Sequence, residues 1–189
     1  MRGDVMLCGR TGDLAIADDP FVADTQMRLF FSGARLAVED VGGGNGVFTR
    51  LRAEREVPAG GEIRVGRQRL VVEPVPPLAP ADDGATAWGS PDAGHRFRLV
   101  QLLEGGIRGG AYPLKDGENN IGRENGDITF PSDGFVSGRH AVLQVAPERL
   151  MLRDLGSSNG TFLRLGAPSF VDNGDQFLIG RQLVRVELS

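Results

Sequence analysis

An internal repeat constrains this chain more than any other feature. GGGNGVFTRL (Gly42 to Leu51) matches GSSNGTFLRL (Gly156 to Leu165) at a shift of 114 residues. VGRQRLVVE (Val65 to Glu73) matches IGRQLVRVE (Ile179 to Glu187) at the same shift, as does Phe21-Val22 with Phe135-Val136. Gly9-Arg10 matches Gly122-Arg123 at 113, so one residue has slipped in that loop. Four anchors in one order read as two copies of one domain. The expected division is a first copy at 1–73, a linker at 74–94 and a second copy at 95–189. The linker, PVPPLAPADDGATAWGSPDAG, is rich in Pro, Ala, Gly and Asp and reads as a semi-stiff spacer. Its three Asp account for most of the net charge of −4. Neither copy is therefore a strong charge patch.

Each copy is expected to be all-β. With 28 Gly and 11 Pro, about a fifth of the chain punctuates backbone structure, which argues against a helix bundle. Short apolar or alternating runs fill the second copy, among them FRLVQLL, HAVLQV, LMLR, TFL, QFLI and LVRVEL. They recur at a spacing of roughly 8–12 residues between Gly-containing turns, the pattern of a β-sandwich. Two β-sandwich domains joined by a linker is the expected architecture.

Composition also excludes function classes. One Cys and two His rule out a disulfide framework and disfavour a metal site, so no metal and no cofactor are expected. The acidic balance disfavours a nonspecific nucleic-acid binder. No window approaches the roughly 18 apolar residues of a spanning helix, and no leader is evident at the N-terminus. A cytoplasmic protein with a reduced Cys8 and no direct membrane contact is expected.

Three clusters in the second copy carry chemistry: Gly122-Arg123, Ser137-Gly138-Arg139-His140, and Gly156-Ser157-Ser158-Asn159-Gly160-Thr161. Gathered at one end of a sandwich, they would bring together a guanidinium, hydroxyls and an amide, which is oxyanion-binding chemistry. Each has a plainer reading alone. Asn-Gly between strands is often only a hairpin turn. His140, opening an apolar strand, reads as a hydrogen-bonded structural residue. Ser137 and His140 also have the spacing of a nucleophile and its base, but no third triad member or nucleophile elbow is apparent. An enzyme is not expected.

In combination, IGRENGDITF, VSGRHAVL, LRDLGSSNGTFL and NGDQFLIG resemble the forkhead-associated (FHA) domain over the whole second half, about Phe97 to Leu188. The resemblance implies a sandwich of about eleven strands that binds phosphothreonine peptides and is not an enzyme. It implies that Arg123 grips the phosphate, Ser137 donates its hydroxyl to it, Asn159 holds the adjacent peptide backbone, and Ser158 lines the same pocket. Gly122, His140 and Gly160 would be structural support. Arg139 either adds a second cation or faces solvent beside an acid. Gly138 departs from relatives that carry a polar residue there.

The first copy resembles the same family in eroded form. Arg10 and Asn45 remain, but Ala23 stands at the Ser position, Gln26 at the His position, and Gly44 and Val47 replace Ser158 and Thr161. Only about eight residues precede Gly9-Arg10, so opening strands are missing and a sheet edge is left to cover. The expected function is a phosphothreonine-dependent signalling adaptor acting through the second copy, on a partner phosphorylated by an upstream Ser/Thr kinase. The alternative is a phospho-independent scaffold module of a larger assembly such as a secretion system. In the linker, Thr86 is a candidate self-ligand if phosphorylated, and Trp88 is expected to dock against a domain.

Overall fold

The computed structural model of the chain describes residues 5–76, 82–86, 88–91, 93–147 and 149–188. The strands in order are β1 (Val5–Gly9), β2 (Leu14–Ala15), β3 (Met27–Ser32), β4 (Arg35–Asp40), β5 (Val47–Arg50), β6 (Arg55–Glu56), β7 (Glu62–Val65), β8 (Gln68–Pro74) and β9 (Phe97–Leu102). They continue with β10 (Arg108–Leu114), β11 (Gly117–Gly122), β12 (Ile128–Thr129), β13 (Ala141–Val145), β14 (Leu150–Asp154), β15 (Thr161–Arg164), β16 (Ser169–Phe170), β17 (Gln176–Ile179) and β18 (Gln182–Arg185). A 3-10 turn at Glu104–Gly106 is the one helical element among the described residues. No helix among them is long and apolar enough to cross a membrane.

The chain is all-β, as its turn-rich sequence requires, but its compact units are not the sequential halves 1–73 and 95–189. One unit is Met1–Arg52 with Gly160–Ser189; the other is Ala53–Asn159. In the first, β16-β4-β3-β1-β2 form one sheet, and β15, β5, β17 and β18 pair in that order in another. In the second, β12-β11-β13-β14-β6 form one sheet, and β10, β9, β8 and β7 pair in the other. The closing segments have thus changed places. β6 pairs with β14, and β16, which stands 114 residues further on, pairs with β4.

The repeat is the physical reason. The closing hairpins, VGRQRLVVE and IGRQLVRVE, present nearly the same inward side chains, so their hydrophobic pattern does not assign either one to a particular sandwich. Residues 74–94 are also corrected: they do not separate two domains. They connect β8 to β9, which are neighbours in one sheet with Pro74 opposite Phe97. Val75 N–H donates to Arg96 O at 2.9 Å, extending that pairing. Trp88 does not dock; it is 99% exposed. Thr86 is exposed as well.

In the first unit, Cys8, Met27, Leu29, Leu36 and Val38 of one sheet form a single buried cluster with Val47, Phe177 and Ile179 of the other. The facing positions of the second unit are filled by Ile63, Val65, Leu70, Val72 and Leu99 on one sheet and Ile121, Leu143 and Leu152 on the other, all buried. In both units a two-residue strand pairs parallel with the strand that precedes the Gly-Arg pair: β2 with β1, and β12 with β11. That local turn places Arg10 and Arg123 at a sheet end rather than along a strand.

Candidate anion-binding site

The site of the second unit is built on close backbone approach. Gly122 ends β11 against the loop that carries Ser137. A Cβ at Gly122 would lie 2.2 Å from Gly138 O and 2.4 Å from Asn125 O, so only glycine fits. The approach lets Arg123 N–H donate to Ser137 O at 2.9 Å and Asn125 N–H donate to Gly138 O at 3.3 Å. The Gly-Arg loop and the Ser loop are therefore zipped together by main-chain bonds, and Arg123 is held beside Ser137.

His140 fixes the Ser loop from below. Its ring is fully buried, and Nδ1 accepts the Ser137 N–H at 3.0 Å. Its own N–H donates to Ile121 O and its carbonyl accepts from Leu155 N–H, both at 2.9 Å. One residue thus pins the Ser loop, β11 and the end of β14. This geometry also removes the nucleophile–base reading: Nδ1 is engaged by the Ser137 amide, and the buried ring is closed to a substrate.

The third loop is tied to the other two. Asp154 accepts from Gly156 N–H (2.8 Å), Ser157 N–H (2.9 Å) and Ser157 Oγ–H (2.6 Å), winding the turn tightly. The exposed Ser158 then donates its N–H to Ser137 Oγ at 3.1 Å. The Ser137 hydroxyl accepts this bond and keeps its own proton to donate outward. Asn159 Nδ2 donates to Phe135 O at 2.8 Å, which orients the exposed Asn159 amide.

Arg123, Ser137, Ser158 and Asn159 therefore stand on three loops locked to one another. The Arg123 guanidinium pairs through Nε with Glu124 at 3.0 Å, with side chains 38% and 63% exposed. An exposed pair of this kind is worth little, so a dianion can displace the carboxylate. Arg139 is exposed and has no hydrogen-bond or ion-pair partner among the described residues. Gly160 belongs to the other unit, where it adopts φ +84° and its Cβ would lie 2.4 Å from Arg50 Nε. Sequence reasoning missed Asp154 and Glu124. An Asp two residues before Gly-Ser is the turn signal that could have pointed to the first; an acid beside an Arg is too common to be a signal. At the margin of these loops Asp127 is held below the ordinary carboxylate range, chiefly by its hydrogen bond from Lys115 and then by the Asn120 N–H.

The first unit carries a similar set of loop contacts with different side chains. Arg10 N–H donates to Ala23 O at 2.9 Å, and Asn45 Nδ2 donates to Phe21 O at 3.0 Å. Gln26 does the work of His140: Oε1 accepts Ala23 N–H at 3.2 Å, and Gln26 N–H donates to Cys8 O at 2.9 Å. The hydroxyl is gone with Ala23. Asp24 stands at the position of Gly138 and takes the Arg10 guanidinium at 2.8 Å. That pair is exposed, at 46% and 73% of its side chains, so the first set of loops differs from the second in the missing hydroxyl and in the carboxylate of Asp24 where Gly138 stands.

Residues 119–180 match the model of the FHA domain. FHA domain-containing protein FhaB of Mycobacterium tuberculosis, in strains CDC 1551 / Oshkosh and ATCC 25618 / H37Rv, is 32% identical over 78 residues, 41% of this chain. The chain spans about half the length of these relatives. Among solved structures, one from a structural and functional study of phosphothreonine-dependent FHA domain interactions is 30% identical, over 48% of this chain and 94% of that one, at a TM-score of 0.31. Another, Mycobacterium tuberculosis EmbR in complex with a low-affinity phosphopeptide, is 23% identical over 58% of this chain and 27% of that one, at a TM-score of 0.29.

Proposed function

We propose that this protein is a phosphothreonine-dependent adaptor whose ligand site is Arg123, Ser137, Ser158 and Asn159, on the loops of the second copy. The observation that carries the reading is the interlock of three loops: Arg123 N–H on Ser137 O, Ser158 N–H on Ser137 Oγ, and Asn159 Nδ2 on Phe135 O. It fixes the backbone of Arg123 and the loops that carry Ser137, Ser158 and Asn159, which supports a site where little loop ordering remains to oppose binding. A guanidinium offers a phosphate two parallel charge-assisted bonds, which a peptide hydroxyl cannot match. The match of residues 119–180 to the FHA domain supports the same reading.

The first copy, in this reading, is a degenerate repeat. Asp24 places a carboxylate where Gly138 stands in the second copy, and Ala23 supplies no hydroxyl, so its loops serve packing or phospho-independent contact. The partner is a protein phosphorylated by a Ser/Thr kinase, and the site is cytoplasmic. Arg139, unpaired among the described residues, supplies a second cation near the phosphate. The test is fluorescence polarisation with an oriented phosphothreonine peptide library on the full chain and on Arg123→Ala. Binding that is lost with Arg123→Ala and with unphosphorylated peptide is the expected result. Equal binding of phosphorylated and unphosphorylated peptides would overturn the adaptor reading and leave a scaffold module.

A further inference from the structure

The strand β18 ends its sheet. β17 lies on one side of it, and no strand among the described residues pairs with the other. Its counterpart 114 residues earlier, β8, is covered: β9 runs antiparallel along it, with Val72 opposite Leu99 and Glu73 opposite Arg98. Arg98 donates from Nε and Nη2 to Glu73 Oε2 at 3.2 and 3.1 Å. The covered edge thus shows what this edge accepts: an antiparallel strand with an apolar residue opposite the Val and an Arg opposite the Glu. In β18 and the residues after it, the corresponding pair is Val186 and Glu187.

The open side has its hydrogen-bonding groups turned outward. Val186 N–H donates to Asp175 O at 2.9 Å, and Val186 O accepts from Gly174 N–H at 2.8 Å, both toward β17. Alternation along a strand then directs the N–H and C=O of Arg185 and Glu187 to the free edge. Leu183 and Leu188 are 51% and 46% exposed there. Such an edge is a template for strand addition unless its side chains forbid it.

We propose that a second copy of this chain covers this edge, pairing Val184–Leu188 of each copy antiparallel about a two-fold axis at Val186. In that register Arg185 faces Glu187 of the second copy, Glu187 faces its Arg185, and Val186 faces itself. The Arg–Glu pairs fall at the positions whose backbone groups point outward, so each ion pair coincides with a pair of ladder hydrogen bonds. Val184 and Leu188 meet on the opposite face. Charge decides between a second copy and an unrelated strand. Opposite charges two residues apart are self-complementary across a two-fold, whereas two like charges would repel a copy. The same two charges, placed across rather than along the strand, reproduce the Arg98–Glu73 pairing of the covered edge. Within one chain they meet only at 3.6 Å, with side chains 59% and 76% exposed.

The test is sedimentation equilibrium of the full chain over a micromolar concentration series, with Arg185→Glu, Glu187→Arg and the double variant. Each single reversal sets like charges opposite one another twice, and is expected to weaken dimerisation about tenfold or more. The double variant restores both pairs and is expected to dimerise within about threefold of the wild type. Both side chains are exposed, so thermal melts of the variants should match the wild type and separate association from folding. A wild type that stays monomeric, singles that dimerise as well as the wild type, or a double variant as weak as the singles would each overturn the proposal. A monomer would leave the edge to a strand of another protein.

Discussion

Replacing His140 tests whether the three loops are held as a unit. His140→Ala removes the acceptor of the Ser137 N–H and leaves that part-buried donor unpaired, at a cost of about 1–3 kcal/mol. It also opens a cavity where a fully buried ring stood, which adds about 2 kcal/mol or more. Together the change should destabilise the Ala53–Asn159 unit by about 3–5 kcal/mol, or about 12 °C and upward at roughly 4–8 °C per kcal/mol. His140→Gln should recover at least half of this, because Gln26 already makes the same bond at the equivalent position. Hydrogen exchange by mass spectrometry localises the effect: the Ser137 and Leu155 amides should lose protection in the Ala variant and regain it in the Gln variant. If Ala and Gln behave alike, or if Ala is neutral, then His140 does not fix the Ser loop and the account of the site fails.

Three further outcomes follow from the same geometry. Gly122→Ala forces Gly138 O and Asn125 O back by about 1 Å, an overpacking cost of about 1–3 kcal/mol that should lower phosphopeptide affinity about tenfold by calorimetry. Burial first, and then the Asp13 charge, push the Cys8 thiol up to about 11; at pH 8 only about one molecule in a thousand carries the thiolate, so iodoacetamide should label Cys8 in urea and not in the native protein. Glu73 is held below the ordinary carboxylate range, chiefly by its hydrogen bond from Arg108. A depressed folded value stabilises above the unfolded pKa and is lost as acid protonates the folded group, so the second unit should weaken below about pH 4.5, and Glu73→Gln should flatten that acid limb in a pH series of thermal melts.

Much of this molecule is legible in its sequence, and what is not has a physical cause. The contacts between the three loops of the proposed site trace to particular residue types: a Gly that must meet a carbonyl at 2.2 Å, and an Asn that reaches Phe135 O. The all-β architecture was readable from turn density and short apolar runs. The exchange of closing hairpins was not, since Ile63, Val65, Leu70 and Val72 fill the same inward positions as Phe177, Ile179, Val184 and Val186, and hydrophobic pattern carries no address. The same degeneracy misplaced the segment 74–94. Its Pro-rich composition resembles a linker, yet β8 and β9 on either side of it pair with each other. Trp88 was expected to dock on hydrophobicity alone, but a single ring in a polar loop has no complementary surface prescribed by the sequence. Ala23 and Gln26, at the positions of Ser137 and His140, are visible in the sequence. That Asp24 pairs with Arg10 needed the fold, which brings residues 14 apart in sequence within 2.8 Å.

The most direct test is a phosphothreonine peptide titration of the 15N-labelled chain followed by amide NMR. The account predicts saturable shifts at Arg123, Ser137 to Arg139, Ser158 and Asn159, and none at Arg10, Asp24 or Asn45. Shifts centred on Arg10 and Asn45, or a spectrum unchanged by phosphopeptide, would contradict it.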